Sequence, residues 1–468
     1  MTTQASGGRA NPPSGPHTVR DPGMQKRAAA SGAVGQSLEY FDFTVYGALS
    51  ATLFPQLFFS DLGESGALLA SFATFGVGFV ARPLGAITFG YLGDRIGRRP
   101  VLFITLMIMA LSSIAIGLLP TGKGFAIAAI LVGLRFLQGF SLGGEATGNQ
   151  LMVMEHSDPH RRGLMGSFVN VGATVSQVVA NLALLLLTTT LSEQQWQSWG
   201  WRVPFLASIA LVAVAVYMRL KLTETPAFQA VDDSVTESVE PKRNSGLRVV
   251  MTHPGYILRL ALAWGGILIT FYLVLVYGLS VMKSEAGFSS STTFLVLVVA
   301  SAAAIPACIA GGWVSDKIGR QKTVIIALAG CAIGLTLFFL LMSTKNVLVI
   351  GAAATFAICS NQFANGAQAA LFAEQFPTEV RFSGSALSIT FSNLIFSAPA
   401  PFVATALTAA AGDIALVAVA LTIMVISLIA MLSIKDRTGI DLVTYNEEPG
   451  HNEKSMSTAD DPQWRASV

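Results

Sequence analysis

Long apolar runs, each about twenty to thirty residues, recur from end to end of the chain, and nothing constrains its folding more. A run of that length crosses ~30 Å of hydrocarbon as a helix, because lipid offers the backbone no hydrogen bonds. The runs lie at about 36–58, 65–92, 101–119, 124–154, 163–190 and 202–220, then at about 255–282, 291–315, 323–342, 346–373, 383–410 and 413–434, with boundaries good to a few residues. The expectation is an all-α membrane protein of twelve transmembrane helices. Only 12% of residues are charged, half the roughly 25% of soluble domains, so no soluble core accounts for the rest.

The spans divide six and six around a polar stretch, 221–252, that holds Asp232, Asp233, Glu237, Glu240, Lys242, Arg243 and Arg248. This predicts six-helix bundles over 35–220 and 253–434, with tails at 1–34 and 435–468. Residues 1–34 lack an apolar signal core, so the first span is expected to be the insertion signal. With the N-terminus inside, the external loops hold only Lys123, Arg202, Lys283 and Lys345 of 29 basic residues. Positive charge near spans stays cytoplasmic, which places both termini and the central loop inside a cell membrane.

A repeat supports the division. Gly90-Tyr-Leu-Gly-Asp94-Arg95-Ile-Gly97-Arg98-Arg99 matches Gly312-Trp-Val-Ser-Asp316-Lys-Ile-Gly319-Arg320-Gln321, and Glu155 precedes Arg162 as Glu374 precedes Arg381. Glycines allow a tight turn between helix ends, and an aspartate there can bond basic neighbours or the facing helix. Gly90, Asp94, Arg95, Gly97, Arg98, Glu155, Arg162, Asp316, Gly319, Arg320, Glu374 and Arg381 are therefore assigned to a cytoplasmic gate.

The duplicated motif resembles the major facilitator superfamily. Leu38-Glu39-Tyr40-Phe41-Asp42-Phe43, Ala81-Arg82-Pro83-Leu84-Gly85, Leu134-Arg135-Phe-Leu-Gln138-Gly139, Gly143-Gly144-Glu145, Gly200-Trp201-Arg202 and Glu374-Gln-Phe376-Pro377 resemble its metabolite:proton symporter family. The resemblance implies uptake coupled to protons, of dicarboxylates and tricarboxylates, shikimate-like and aromatic acids, or proline and betaine. The tail at 435–468 has no apolar heptads for a coiled coil, which lowers the weight of an osmosensing betaine carrier.

Charge inside the spans points the same way, since ionisable groups there cost ~3 kcal/mol or more on insertion scales. Glu39 and Asp42 share a helical face with Tyr46, and two close carboxylates suit a group that takes and releases a proton. Glu39, Asp42 and Glu145 are the proton candidates. Arg82, beside Pro83, and Arg135 suit a carboxylate, whether a substrate's or that of Asp42 or Glu145. Span 4 forms a polar stripe of Arg135, Gln138, Glu145 and Asn149, and span 5 one of Asn170, Thr174, Gln177 and Asn181; both are expected to face a wet cavity. The second half offers an uncharged wall of Tyr272, Tyr277, Asn361, Asn365, Gln368, Ser388, Ser392 and Asn393. Pro306, Pro399 and Pro401 permit bending. Trp196, Trp199 and Trp201 are expected to anchor at the headgroup level.

Cys308, Cys331 and Cys359 lack metal or disulfide spacing, so no metal or cofactor is implied. No basic run interleaved with aromatics suggests nucleic acid. The histidines form no catalytic constellation, so an enzyme is not expected. The reading is a monomeric carrier, with the bilayer, protons and a small organic acid as partners. A proline/betaine-type symporter and a non-transporting solute sensor are the alternatives.

Overall fold

The computed structural model describes residues 37, 40–96, 98–122, 124–144, 150–151, 153–154, 157–207, 209, 254–376, 381–440 and 442. Helical stretches stand at each of the twelve expected positions. In the first half these are α1 (40–52), α2 (Gly63–Ile96), α3 (Arg98–Leu118), α4 (Phe125–Ser141), α5 (Arg162–Thr190) and α6, described over 203–207. In the second half, α7 begins at Pro254–Tyr272 and continues to Ser284, followed by α8 (Ser290–Ile318), α9 (Arg320–Leu340), α10 (Val347–Glu374), α11 (from Arg381) and α12 (to Leu432). Among the described residues, seven helical runs are long and apolar enough to cross a membrane. The central loop 221–252 lies outside the described residues, as do the tails apart from 435–440 and 442.

Local chemistry places the ends. Ser289 caps α8 by accepting the Thr292 N–H, and Asn346 caps α10 by accepting those of Leu348 and Val349. Gly319 (φ 98°) turns the chain between α8 and α9, and Gly412 (φ 78°) turns it between α11 and α12, in backbone regions that favour glycine. The fourth span is not the single run expected: α4 passes into a 3₁₀ turn at Leu142–Gly144, where two glycines weaken the helix.

Outward faces carry apolar side chains such as Leu118, Ile333 and Ile429, which lipid would cover. Inward faces meet through small residues. A methyl group added at Gly85 of α2 would overlap the carbonyl oxygen of Phe140, and one at Gly143 the carbonyl of Arg82. In the second half, Gly311 of α8 stands in that relation to Phe363, and Gly366 to Cys308. Arg82 and Gly85 are three residues apart, as are Cys308 and Gly311, so one packing device is built twice. Close backbone approach of this kind is how membrane helices associate without a hydrophobic driving force.

The halves touch at both ends of the molecule. On the face bearing the repeated motif, the motif face, the first turn of α5 meets α8. On the opposite face, Lys283 donates to the Thr52 carbonyl (3.4 Å), and the rings of Phe72 and Tyr277 lie 6.4 Å apart. Two π-helical segments, Leu273–Tyr277 in α7 and Asn393–Ser397 in α11, interrupt the second half. Such segments loosen the regular ladder and often mark functional positions.

Candidate functional site

A cavity with about 910 Å³ of non-atom space, mouth included, lies between the halves. Arg82, Asn170 and Gln177 line it from α2 and α5, and Tyr272, Asn361, Asn365, Gln368 and Asn393 from α7, α10 and α11. Sequence reasoning missed the aromatic part of the wall, Tyr40, Phe43, Trp264 and Phe271, and the amides of Gln150 and Gln362. Aromatic residues inside apolar runs carry no signal that separates wall from core.

The amides are mostly bonded to one another or to backbone. Gln150 donates to Asn170 Oδ1 (3.0 Å), and Asn170 donates across the halves to the Asn365 carbonyl (2.6 Å) and to Gln368 Oε1 (3.3 Å). Asn361 donates to the Ile267 carbonyl (2.6 Å) and accepts from Asn365 (3.1 Å). Gln177 and Asn181 differ: both are almost fully buried and have no hydrogen-bond partner among the described residues, Gln177 lining the cavity and Asn181 a small separate pocket that shares Phe43, Gln177 and Phe271 with it. A buried carboxamide left unbonded is costly, which makes this wall suited to a ligand that supplies the bonds.

Behind Phe43 lies a second polar cluster, sealed from the cavity. Asp42 on α1 is 3% exposed, and its Oδ2 accepts from Ser113 of α3 (2.5 Å) and from the Gln138 amide. Gln138 Oε1 accepts from Arg135 (3.0 Å). The Arg135 guanidinium lies 4.2 Å from the Tyr46 ring centroid and 5.1 Å from that of Phe43, while Arg82 lies 5.5 Å from Phe43. Phe43 therefore meets one cation in the cavity and one behind it, both favourable to its π face. Tyr46 donates to Thr74 (2.8 Å).

Arg135 and Gln138, the described members of the expected span-4 stripe, thus do not face the cavity. Arg135, Gln138 and Tyr46 point among α1, α2 and α3, because a helix in mid-bundle is covered on more than one side and a polar stripe does not identify which neighbour it serves. Ser388 and Ser392 likewise bond to helix carbonyls, those of Gly384 and Ala261. Tyr277 sits by Phe339, ring centroids 6.3 Å apart. Glu39, Glu145, Asn149, Gly97 and Glu155 lie outside the described residues, as do the side chains of Asp94, Arg95 and Arg98 and all beyond the backbone at Gly90.

Trp196 and Trp201 are not headgroup anchors. Both are buried, and Trp201 packs against Phe54, Phe58 and Phe205 with centroids 5.7, 5.9 and 6.3 Å away. The ring stack offers Trp201 more apolar contact than the interface would, and Trp196 is buried in the same apolar core. Trp199 alone of the three is exposed.

At the motif face, the Asp316 carboxylate accepts the backbone N–H groups of Gly163 (2.8 Å) and Leu164 (2.9 Å) at the start of α5. An anion at a helix N-terminus is favourable, and here it joins the halves. Arg320 pairs with Asp316 (2.5 Å) and Glu374 (3.1 Å), and Arg162 approaches Glu374 at 3.7 Å. A strap beyond α12 completes the closure. Arg320 N–H donates to Thr438 (3.0 Å), and Arg437 donates to the Gln375 carbonyl (3.1 Å). The repeat-related arginines grip the strap from either half: Arg162 donates to the Ile440 carbonyl (2.5 Å) and Arg381 to that of Leu442 (2.9 Å). Leu442 is buried among Met154 and Val169 of the first half and Ala369 and Ala373 of the second.

Comparison with known proteins gives this architecture a family. A model of the Major Facilitator Superfamily matches residues 33–401. The chain is 33% identical over 388 residues to the inner membrane metabolite transport protein YhjE of Escherichia coli K12, covering 81% of this chain and 87% of that protein. It is 32% identical over 428 residues to a proline/betaine transporter of Salmonella typhimurium (90% and 85% covered). It is 30% identical over 388 residues to the shikimate transporter of E. coli K12 (82% and 87%). Among solved structures, a D-xylose-proton symporter superposes with TM-score 0.69 at 17% identity, covering 89% of this chain and 99% of that one, which speaks to fold alone. A multi-pass membrane protein of this sequence, fold and duplicated motif belongs to the major facilitator superfamily of transporters.

Proposed function

We propose that the protein imports a small organic acid together with protons, by alternating access of its halves around the central cavity. The observation that carries this is the cavity wall: one guanidinium, Arg82, set among carboxamides, of which Gln177 has no partner among the described residues. A carboxylate on Arg82 gains a charge-assisted, two-pronged bond, and the amides take up hydroxyl or carbonyl groups. Asp42 is the proton site. Glu39 and Glu145 are further candidates, the motif face is the cytoplasmic gate, and both termini and the 221–252 loop are cytoplasmic. The protein works as a monomer.

The second reading is a proline- or betaine-type zwitterion. Five rings, those of Tyr40, Phe43, Trp264, Phe271 and Tyr272, line the cavity and would suit a quaternary ammonium, with Arg82 on the carboxylate. Proteoliposomes assayed for uptake of radiolabelled organic acids, proline and glycine betaine decide between them. Uphill uptake of an acid that stops when a protonophore collapses the gradient is expected. Uphill uptake that survives collapse rejects proton coupling, and uptake confined to proline and betaine rejects the acid.

A further inference from the structure

We propose that Gln138 is the positioning residue that makes the protonation of Asp42 felt at Arg135, and so at the cavity wall. The inference rests on Asp42 as the proton site. Asp42 and Arg135 are both buried, on different helices, and make no direct ion pair. One side chain touches both. Its amide is oriented by charge, N–H toward the carboxylate and carbonyl toward the guanidinium, so its dipole bridges the separated ions. The amide also donates to Ser113 (2.8 Å), itself a donor to Asp42, which holds the bridge in register.

Asp42 Oδ1 is buried and has no partner among the described residues. A proton arriving from water can form its O–H bond there while Oδ2 keeps both donors, and the carboxyl goes from charge −1 to neutral. The Gln138–Asp42 bond then changes from charge-assisted to neutral, about half as strong. The same amide's carbonyl, less polarised, holds Arg135 less firmly. The charged and titratable groups around Arg135 are Tyr46 on α1, Asp42, Arg82 on α2 and Tyr272 on α7, so no other described carboxylate competes for it. A loosened Arg135 acts on Phe43, whose ring also receives Arg82. The path from proton to substrate cation is thus Asp42, Gln138, Arg135, Phe43, Arg82.

Infrared titration of the full chain in lipid follows the carboxyl C=O band of Asp42, identified by its absence in D42N, with no substrate needed. In Q138L the pH of half-titration is expected to rise by about one unit, a tenfold change in proton affinity, because the carboxylate loses a donor and its link to the cation. Q138N keeps the amide one methylene short of spanning both partners. It is expected to move the same way and decides the matter if Q138L fails to fold. A band present in a folded variant with its midpoint within about 0.3 of wild type overturns the inference and leaves the Asp42 proton site standing. No D42N-sensitive band in wild type between about pH 4 and 9 overturns the proton site and the inference together.

Discussion

Gly311 and Phe363 stand so close that α8 and α10 share one backbone surface, with no room for a side-chain carbon between them. Its counterpart in the first half is Gly85 against Phe140. G311A therefore cannot be absorbed by a rotamer change, since the obstacle is a carbonyl oxygen. A loss of about 3 kcal/mol is expected, seen as a lower melting temperature of the purified protein. G133A, where the added carbon meets open space, is the control and is expected to be neutral or stabilising by up to about 1 kcal/mol.

Arg82 gives a prediction about binding. R82A is expected to weaken any carboxylate that stabilises the wild type by tenfold or more, on the order of 1.5–3 kcal/mol for a hydrogen bond to a charged group. R82K keeps the charge but not the fork, and recovers only part. Thermal-shift titration of both variants against a panel of organic acids measures this. Unchanged affinity in R82A would place the carboxylate elsewhere.

Glu374 holds Arg320 and approaches Arg162, one from each half. Removing one partner of a buried pair costs about 3–5 kcal/mol. E374Q is expected to open the motif face, and Cys308 reports it, because its buried sulfur lies 3.8 Å from the Ser167 carbonyl at the α5–α8 contact. N-ethylmaleimide labelling of Cys308, with C308S as blank, is expected to rise several-fold in the variant.

The opposite face carries a pH dependence. Partial burial, then the charge of Asp413 and a hydrogen bond to it, push the Glu285 carboxyl up to about 7. A carboxyl with a raised native pKa stabilises the fold below its unfolded value, and that contribution is lost as pH rises through about 7. The melting temperature is therefore expected to fall between about pH 5 and 8, and E285Q is expected to flatten the slope. Solvent around Glu285 keeps the effect small.

The spans were legible because lipid imposes one rule on every residue in them, and the Asp316–Arg320 motif because it occurs twice. What lay beyond the sequence depended on neighbours. Ser113 reads as one of two adjacent hydroxyls in an apolar run until α1 brings Asp42 to it. Gln138 and Asn170 carry the same amide, yet one bridges buried ions while the other lines a cavity. The π segments of α7 and α11 have no composition of their own, since a change of hydrogen-bond register is decided by packing. Residues 435–440 and Leu442 show no apolar period, and their place is revealed by contacts from distant residues, Arg162, Arg320 and Arg381 among them.

Arg162 and Arg381 hold Ile440 and Leu442 by carbonyl oxygens, which every amino acid presents alike. The grip measures how far along the chain each carbonyl lies and is largely indifferent to what the side chain is. Inserting or deleting one residue between Leu432 and Ile440 would shift the wrong carbonyl under each guanidinium, where exchanging an exposed residue would pass unnoticed. At this point the protein is sensitive to length before identity.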